Sequence, residues 1–372
     1  MCELQQGGVI MENESGLILA IAGLLVGCIL GFIVQRSRFC MAAIVSNYVL
    51  LRDVRQFYTY LIAVLLAIAG VLLLEITGTV SIADSVYRSA DIHWFSAILG
   101  GMVFGLGAVR AGGCIGRILT LTGEGNLGGL LALLAISLSA TIVYTGVFEP
   151  IRVWIYGLAV IETDETSILY LSQLPLWLFI SCLLLVFMMV IVLAYKSHLE
   201  KSYIVVGLMI GALVIFGWWV TGSLGVDEFS SVQRPGSLTF SGPLANMALY
   251  LTIGSEPQNL FGFMLVIGML SGSFISAKSS GRFRLIQPAP DSFVRIFNGG
   301  LLMGIGAILA GGCNIGQGLT GLSTLSIESI LVVGAIFAGM YMGIKWLQYS
   351  ENHQSIWIDI RKYLYQSFHP VH

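Results

Sequence analysis

The stretch GGMVFGLGAVRAGGCIGRILTLTG, residues 100–123, returns as GGLLMGIGAILAGGCNIGQGLTGL at residues 299–322. Cys114 and Cys313 stand 199 residues apart, and Gly100, Gly101, Gly105, Gly107, Ala108, Ala111, Gly112 and Gly113 all recur at that offset. One extra residue, Asn314, then moves the offset to 200, at which Gly116, Leu119 and Thr120 recur as Gly316, Leu319 and Thr320. Each copy is a glycine-spaced apolar run that breaks at Gly-Gly-Cys and resumes. An internal repeat of broken apolar segments is a mark of membrane transport folds.

Composition agrees with a membrane setting. The chain is 56% hydrophobic and 10% charged, and apolar runs of about 20 residues, enough to cross a bilayer, recur along nearly its whole length. The 45 glycines suit helices that approach closely or break inside the membrane. The formal net charge of −2 says nothing about nucleic acid, and with no basic patch to suggest it none is expected as a partner. The opening MCELQQGGVIMENESG has no basic n-region, so the first apolar run is expected to stay in the protein. The six cysteines show neither CxxC nor zinc-type spacing, so no metal, cofactor or redox motif is signalled.

Taken in order, spans are expected at about 16–35, 58–76, 94–121 (broken), 126–148, 175–195, 203–220, 257–276, 296–322 (broken) and 328–346. Two shorter apolar pieces, 39–51 and 240–253, are too short to cross and read as re-entrant helices. The segment 149–174 reads as an acidic loop, with Glu149, Glu162, Asp164 and Glu165.

Laid over each other, residues 16–148 and about 203–347 match as repeat 1 and repeat 2, with 175–195 as a linking helix and 348–372 as a tail. Four spans plus the linking span separate equivalent points. That number is odd, so the second repeat is inverted. Placing the basic groups at 36–55, 196–201 and 278–295 inside leaves the acidic segments outside, as the positive-inside rule requires. The expected fold is an all-α membrane protein: one integral domain of about nine transmembrane helices in an inverted repeat, with broken and re-entrant helices. Its N-terminus lies outside and its C-terminal tail is cytoplasmic. In such folds substrate sits near the midplane, where the breaks meet.

A break at mid-depth frees backbone N–H groups at the start of the following half-helix, which favour an anion. Gly113, Ile115 and Gly116 around Cys114, and Gly312, Asn314 and Gly316 around Cys313, are the expected lining. Cys40 opens the inner re-entrant helix, while its repeat mate, Ser241, opens the outer one. The expected path runs from Ser241 through Cys114 and Cys313 to Cys40. A thiol is a weak, soft donor, poorly suited to a hard oxyanion and better suited to a terminal sulfur. A sulfur-bearing anion such as thiosulfate fits that chemistry. Arg110, inside an apolar run, needs a partner or a wet cavity, and together with Arg117 offers attraction for the anion.

The pieces SRFCMA at 37–42, AGGCIG at 111–116 and AGGCNIGQGLTGLST at 310–324 resemble the YeeE/YedE family of inner-membrane sulfur transporters. The likeness runs from about Gly16 to Trp346. It implies a bacterial inner-membrane protein with nine helices that is not an enzyme. Three functional cysteines, matching Cys40, Cys114 and Cys313, would pass thiosulfate along by S–H···S hydrogen bonds. It also implies a small cytoplasmic TusA-like sulfur-carrier protein as partner. Alternatives within reach are a carrier of selenium compounds, sulfite or sulfide, a passive channel, and a membrane-embedded thiol sulfurtransferase. The last lacks a flanking His or resolving cysteine. Cys28 and Cys182, mid-span and outside any motif, read as packing residues, and the paired glycines at 105/107 and 304/306 as close helix contacts.

Overall fold

A computed structural model describes residues 2–88, 91–163, 166–171, 175–197, 199–224, 234–254 and 259–368. Asp164 and Glu165 of the acidic loop lie outside the described residues. Among those residues nine stretches are long and apolar enough to cross a membrane. The chain is a multi-pass membrane protein.

The first half comprises α1 (Cys2–Ser37), α2 (Met41–Leu51), α3 (Arg55–Ile76), α4 (Trp94–Ala111), α5 (Ile115–Gly123) and α6 (Leu127–Tyr144). The short helices α7 (Glu149–Gly157) and α8 (Ile168–Leu171) lead to the linking helix α9 (Leu176–Lys196). The second half comprises α10 (Lys201–Trp219), α11 (Ser241–Ile253), α12 (Leu260–Ser279), α13 (Pro290–Leu309) and α14 (Ile327–Phe368). Two elements run longer than hydropathy suggests, since α1 begins at Cys2 and α14 continues to Phe368. Helix propensity can carry a helix past the apolar stretch that anchors it.

The halves interlock. α1 packs along α12 and α3 along α10, while α4 packs on both α13 and α14, and α13 also on α6. Matching these pairs through the repeat turns each contact into another one on the same roster: α1–α12 maps onto α10–α3, and α4–α14 onto α13–α6. Glycine makes the approach close. A Cβ at Gly105 would fall 2.7 Å from the Met340 nitrogen, and one at Gly101 would fall 2.7 Å from the Ala335 Cβ. The repeat mate of Gly101, Gly300, shows the same crowding, with the Ala132 carbonyl oxygen at 2.7 Å. The glycines serve helix packing, as small residues do between membrane helices.

Both breaks end a helix the same way. Gly112 (φ 88°) and Gly311 (φ 64°) adopt the left-handed conformation that closes α4 and α13, a geometry that costs little only for glycine. The following N–H groups bond back identically, Gly113 to the Ala108 carbonyl at 2.9 Å and Gly312 to the Ala307 carbonyl at 2.8 Å. Beyond the breaks the copies differ. The first resumes as the α-helix α5. The second forms a π-helical turn, Gly316–Gly321, in which the Thr320 N–H reaches back five residues to the Ile315 carbonyl at 3.2 Å. One inserted residue, Asn314, widens the turn, which is how helices accommodate an insertion.

The segment expected as a loop at 149–174 has structure of its own. α7 has Pro150 in its first turn, and Ile161–Glu162 pairs antiparallel with Asp91–Ile92. α7 covers the second break. Tyr156 Oη donates to the Ile308 carbonyl at 3.0 Å, and His93 Nδ1 donates to the Tyr156 carbonyl at 3.0 Å. Burial pushes the Tyr156 phenol up to about 12, so it remains a donor.

Candidate functional site

Cys40 and Cys114 are brought together by two helix starts. Each is the extended N-cap of a short helix, α2 and α5, and neither makes a side-chain capping bond. Thiols cap poorly, so first-turn N–H groups of both helices remain available and the side chains are free to turn elsewhere. They turn to each other, with Sγ–Sγ at 3.5 Å. Both are buried, at 5% and 3% exposure.

Beside this pair lies a small cavity of about 10 Å³, walled by Cys40, Cys114, Gly116, Asn314, Ile315 and Leu319, with Phe39 and Met41 among its apolar neighbours. That is the volume of about one water-sized probe, so passage of an anion requires these side chains to move. The wall is almost wholly apolar. Its polar exceptions are the two thiols and the amide of Asn314, which is fully buried, faces the Cys114 thiol, and makes no hydrogen bond of ordinary geometry at Nδ2 or Oδ1. An unpaired buried amide costs about 1–3 kcal/mol.

Cys313 is fully buried, directly precedes Asn314 and does not line this cavity. Its sulfur accepts the Gly316 N–H at 3.4 Å, so this cysteine caps its own π turn. The N–H expected from Gly316 is thus already engaged. The Phe240 backbone, just before Ser241, faces this thiol. Ser241 is buried at the start of α11 and does not line the cavity. Each re-entrant helix therefore sits over the break of its own half: α2 over Cys114, α11 over Cys313. The cysteine in contact with Cys114 is Cys40, not the symmetry mate Cys313.

Of the remaining expected residues, Gly116 lines the cavity and Ile115 is buried next to it in the core. At Gly113 and Gly312 a side chain would meet Arg117 Cγ at 2.9 Å and Gln317 Cγ at 3.0 Å, so both sites are covered by a neighbouring stem. Gln317 serves the break itself: its Nε2 donates to the Ala310 carbonyl at 3.2 Å, and its Oε1 accepts from Ser329 at 2.6 Å. Arg110 lies apart from the cavity, its guanidinium 5.0 Å over the Trp346 ring. Arg117 pairs with Glu124 at 3.1 Å. Glu75 is held by Arg88, with Nη2–Oε2 at 3.0 Å, and Arg88 Nε also donates to the Thr324 carbonyl at 3.2 Å. Of the unassigned cysteines, Cys182 is exposed on α9 and Cys28 lies against Gly272 of α12.

Sequence reasoning misses the residues that hold the π turn. Tyr60 Oη donates to the Gly318 carbonyl at 2.8 Å, Thr320 Oγ1 to the Leu238 carbonyl at 2.8 Å, and Trp218 Nε1 to Ser323 Oγ at 3.0 Å. Nothing local marks Tyr60 or Trp218. The plug formed by Ile315 and Leu319 likewise carries no signal beyond lying in the second motif.

The family model described as Sulphur transport matches residues 36–342. The chain is similar to the thiosulfate transporter TsuA of Escherichia coli (strain K12), 28% identical over 356 residues that cover 88% of this chain and 94% of that protein. It is also similar to the thiosulfate transporter TsuA of Spirochaeta thermophila, 29% identical over 319 residues that cover 83% of this chain and 93% of the relative.

Proposed function

The chain belongs to the Sulphur transport family, and from that premise we propose that it takes up thiosulfate, passing the anion along Cys313, Cys114 and Cys40. The observation that carries this reading is the Cys40–Cys114 contact of 3.5 Å at two uncapped helix starts. Two thiols at that distance already make the S–H···S geometry that a terminal sulfur would enter and leave. The helix starts offer N–H groups to the anion's oxygens. The apolar wall excludes water, which strengthens weak donors without turning them into a trap. A hard cage of arginines at the same point would bind more and release less.

The names of both relatives support the substrate, and chemistry supports a carrier rather than an enzyme. Among the described residues no histidine or carboxylate touches either thiol to activate it. The basic ends of α1, α3, α9 and α12 support a cytoplasmic side at Cys40, with the N-terminus outside and the C-terminus inside a bacterial inner membrane. A TusA-like carrier would then receive sulfur on the Cys40 side.

Uptake of labelled thiosulfate into proteoliposomes tests the proposal. Cys114→Ala and Cys40→Ala are expected to abolish uptake while the protein still folds, and Cys28→Ala and Cys182→Ala to retain it. Normal uptake in both path variants refutes the thiol path. Competition by sulfite, sulfide and selenite on the same vesicles defines the substrate range.

A further inference from the structure

A second cavity, of about 270 Å³, opens on the face that carries the basic loops. It is lined by Arg38, Arg117, Arg282, Arg284, Glu124 and Gly281. Four guanidinium groups against one carboxylate leave an excess of three positive charges. Two of the four are tied to the thiol pair: Arg38 stands two residues before Cys40, and Arg117 three residues after Cys114. The chamber is thus lined from the same two chain segments that carry the thiol pair, at the end of α5 away from Cys114.

The chamber is built, not a chance meeting of mobile side chains. The Arg284 N–H donates to the Glu124 carbonyl at 3.1 Å, the Ile286 N–H to the Gly125 carbonyl at 3.2 Å, and the Leu127 N–H to the Ile286 carbonyl at 2.9 Å. Gly125 is left-handed (φ 89°), and a Cβ there would lie 2.8 Å from the Arg284 carbonyl oxygen. This ladder fixes the Arg282–Arg284 loop across the end of α5. Topology alone asks for basic residues near a membrane face, but it does not ask for four of them around one void.

We propose that this chamber is a binding site for a small divalent oxyanion, which for this chain is thiosulfate leaving the thiol pair, and that Glu124 is a tethered competitor for Arg117. The assignment of the anion rests on the transport reading above. Glu124 holds Arg117 at 3.1 Å. An arriving dianion meets three guanidinium groups that form no ion pair among the described residues, and displaces the carboxylate, since bidentate guanidinium–oxyanion bonds are strong and directional. When the anion departs, Glu124 returns, so the site lets go instead of retaining its ligand. Arg38, Arg282 and Arg284 are exposed, so the site exchanges freely with solvent and weakens with salt.

The test is calorimetric titration of thiosulfate, and separately of sulfate, onto the purified full-length protein. Sulfate carries no terminal sulfur and isolates the chamber from the thiol pair. Both anions are expected to bind, and binding is expected to survive in Cys114→Ala. Arg282→Gln/Arg284→Gln is expected to lower affinity by about tenfold or more, and Arg282→Lys/Arg284→Lys to recover part of it. Glu124→Gln is expected to bind more tightly and to slow uptake. Unchanged affinity in a folded Arg282→Gln/Arg284→Gln protein overturns the proposal. So does loss of anion binding on reconstitution with phosphatidylglycerol but not with phosphatidylcholine alone, which would make the chamber a lipid headgroup site. Wild-type protein that fails to transport thiosulfate yet shows arginine-dependent sulfate binding leaves the anion site standing and removes the transport reading.

Discussion

Asn314→Ala separates folding from function beside the thiol pair. The side chain is fully buried, and its amide faces the weak Cys114 thiol without making a hydrogen bond of ordinary geometry. A buried asparagine that holds a structure together is hydrogen-bonded, and truncating it costs stability. Truncating this one relieves about 1–3 kcal/mol of uncompensated desolvation. The small void left behind takes back a similar amount. Its melting temperature is therefore expected to stay within about 2–4 °C of wild type. Function should not be spared. Where the amide donates to the anion's oxygens during passage, the lost bond is one to a charged group, about 1.5–3 kcal/mol. At 1.4 kcal/mol per factor of ten, uptake per unit substrate falls about ten- to a hundredfold. The assay is initial-rate uptake of labelled thiosulfate in proteoliposomes matched for protein, beside thermal unfolding of the same preparation. Retained uptake with a melting temperature lowered by about 10 °C or more would refute the reasoning, because Asn314 would then be a structural residue.

Three other perturbations follow from the packing. Copper–phenanthroline with dissolved oxygen as electron acceptor is expected to join Cys40 to Cys114, since their sulfurs need close only from 3.5 Å to a bond of about 2.05 Å. Uptake should fall and recover with dithiothreitol, and unchanged free-thiol counts at both positions in peptide mass spectra would contradict the adjacency. Gly105→Ala should destabilise by about 1–3 kcal/mol, because its Cβ would fall 2.7 Å from a backbone nitrogen. Gly334→Ala, with nothing within 4 Å, should instead be neutral or stabilising by up to about 1 kcal/mol, and equal melting temperatures for the two variants would count against the packing. Glu75→Gln should lower stability by about 1–3 kcal/mol, discounted because that carboxylate is 29% exposed while Arg88 is 6%. The pH profile of uptake should be unchanged, whereas a shifted profile would mark Glu75 as a proton site.

The repeat is legible in the sequence because each half must bury the same faces, so its glycines stay in step for a dozen residues. The breaks are legible for the same reason: Gly112 and Gly311 need a conformation that few residues tolerate. The inserted Asn314 is visible as a shift from 199 to 200, but its result, a π turn where a half-helix is expected, depends on Tyr60 and Leu238 holding the widened turn. Which thiol meets Cys114 is not legible either. That is decided by the entry angle of α2, and no spacing rule relates residue 40 to residue 114. Arg110 illustrates the same limit: its sequence context demands a partner, and the partner, Trp346, lies 236 residues away in the other half. The 149–174 segment reads as loop because its elements are too short for periodicity to show.

The glycine seam between α1 and α12 bears on how such a protein can move. Gly23, Gly27 and Gly31 lie against the backbone of Phe261, Leu265 and Met269, and Gly268 and Gly272 lie against that of Leu24 and Cys28. Main chain meets main chain along several turns, with no flexible side chain between to act as a bearing. Backbone ridges meshed this way can neither slide nor tilt without parting at every tooth. Relative motion of α1 and α12 along this seam would have to part several backbone contacts at once. Movement is left to what the frame encloses: Ile315, Leu319 and the two short helix starts around a void of about 10 Å³. For a thiosulfate carrier, such a seam would favour local motion at the thiol pair over rocking of the two halves.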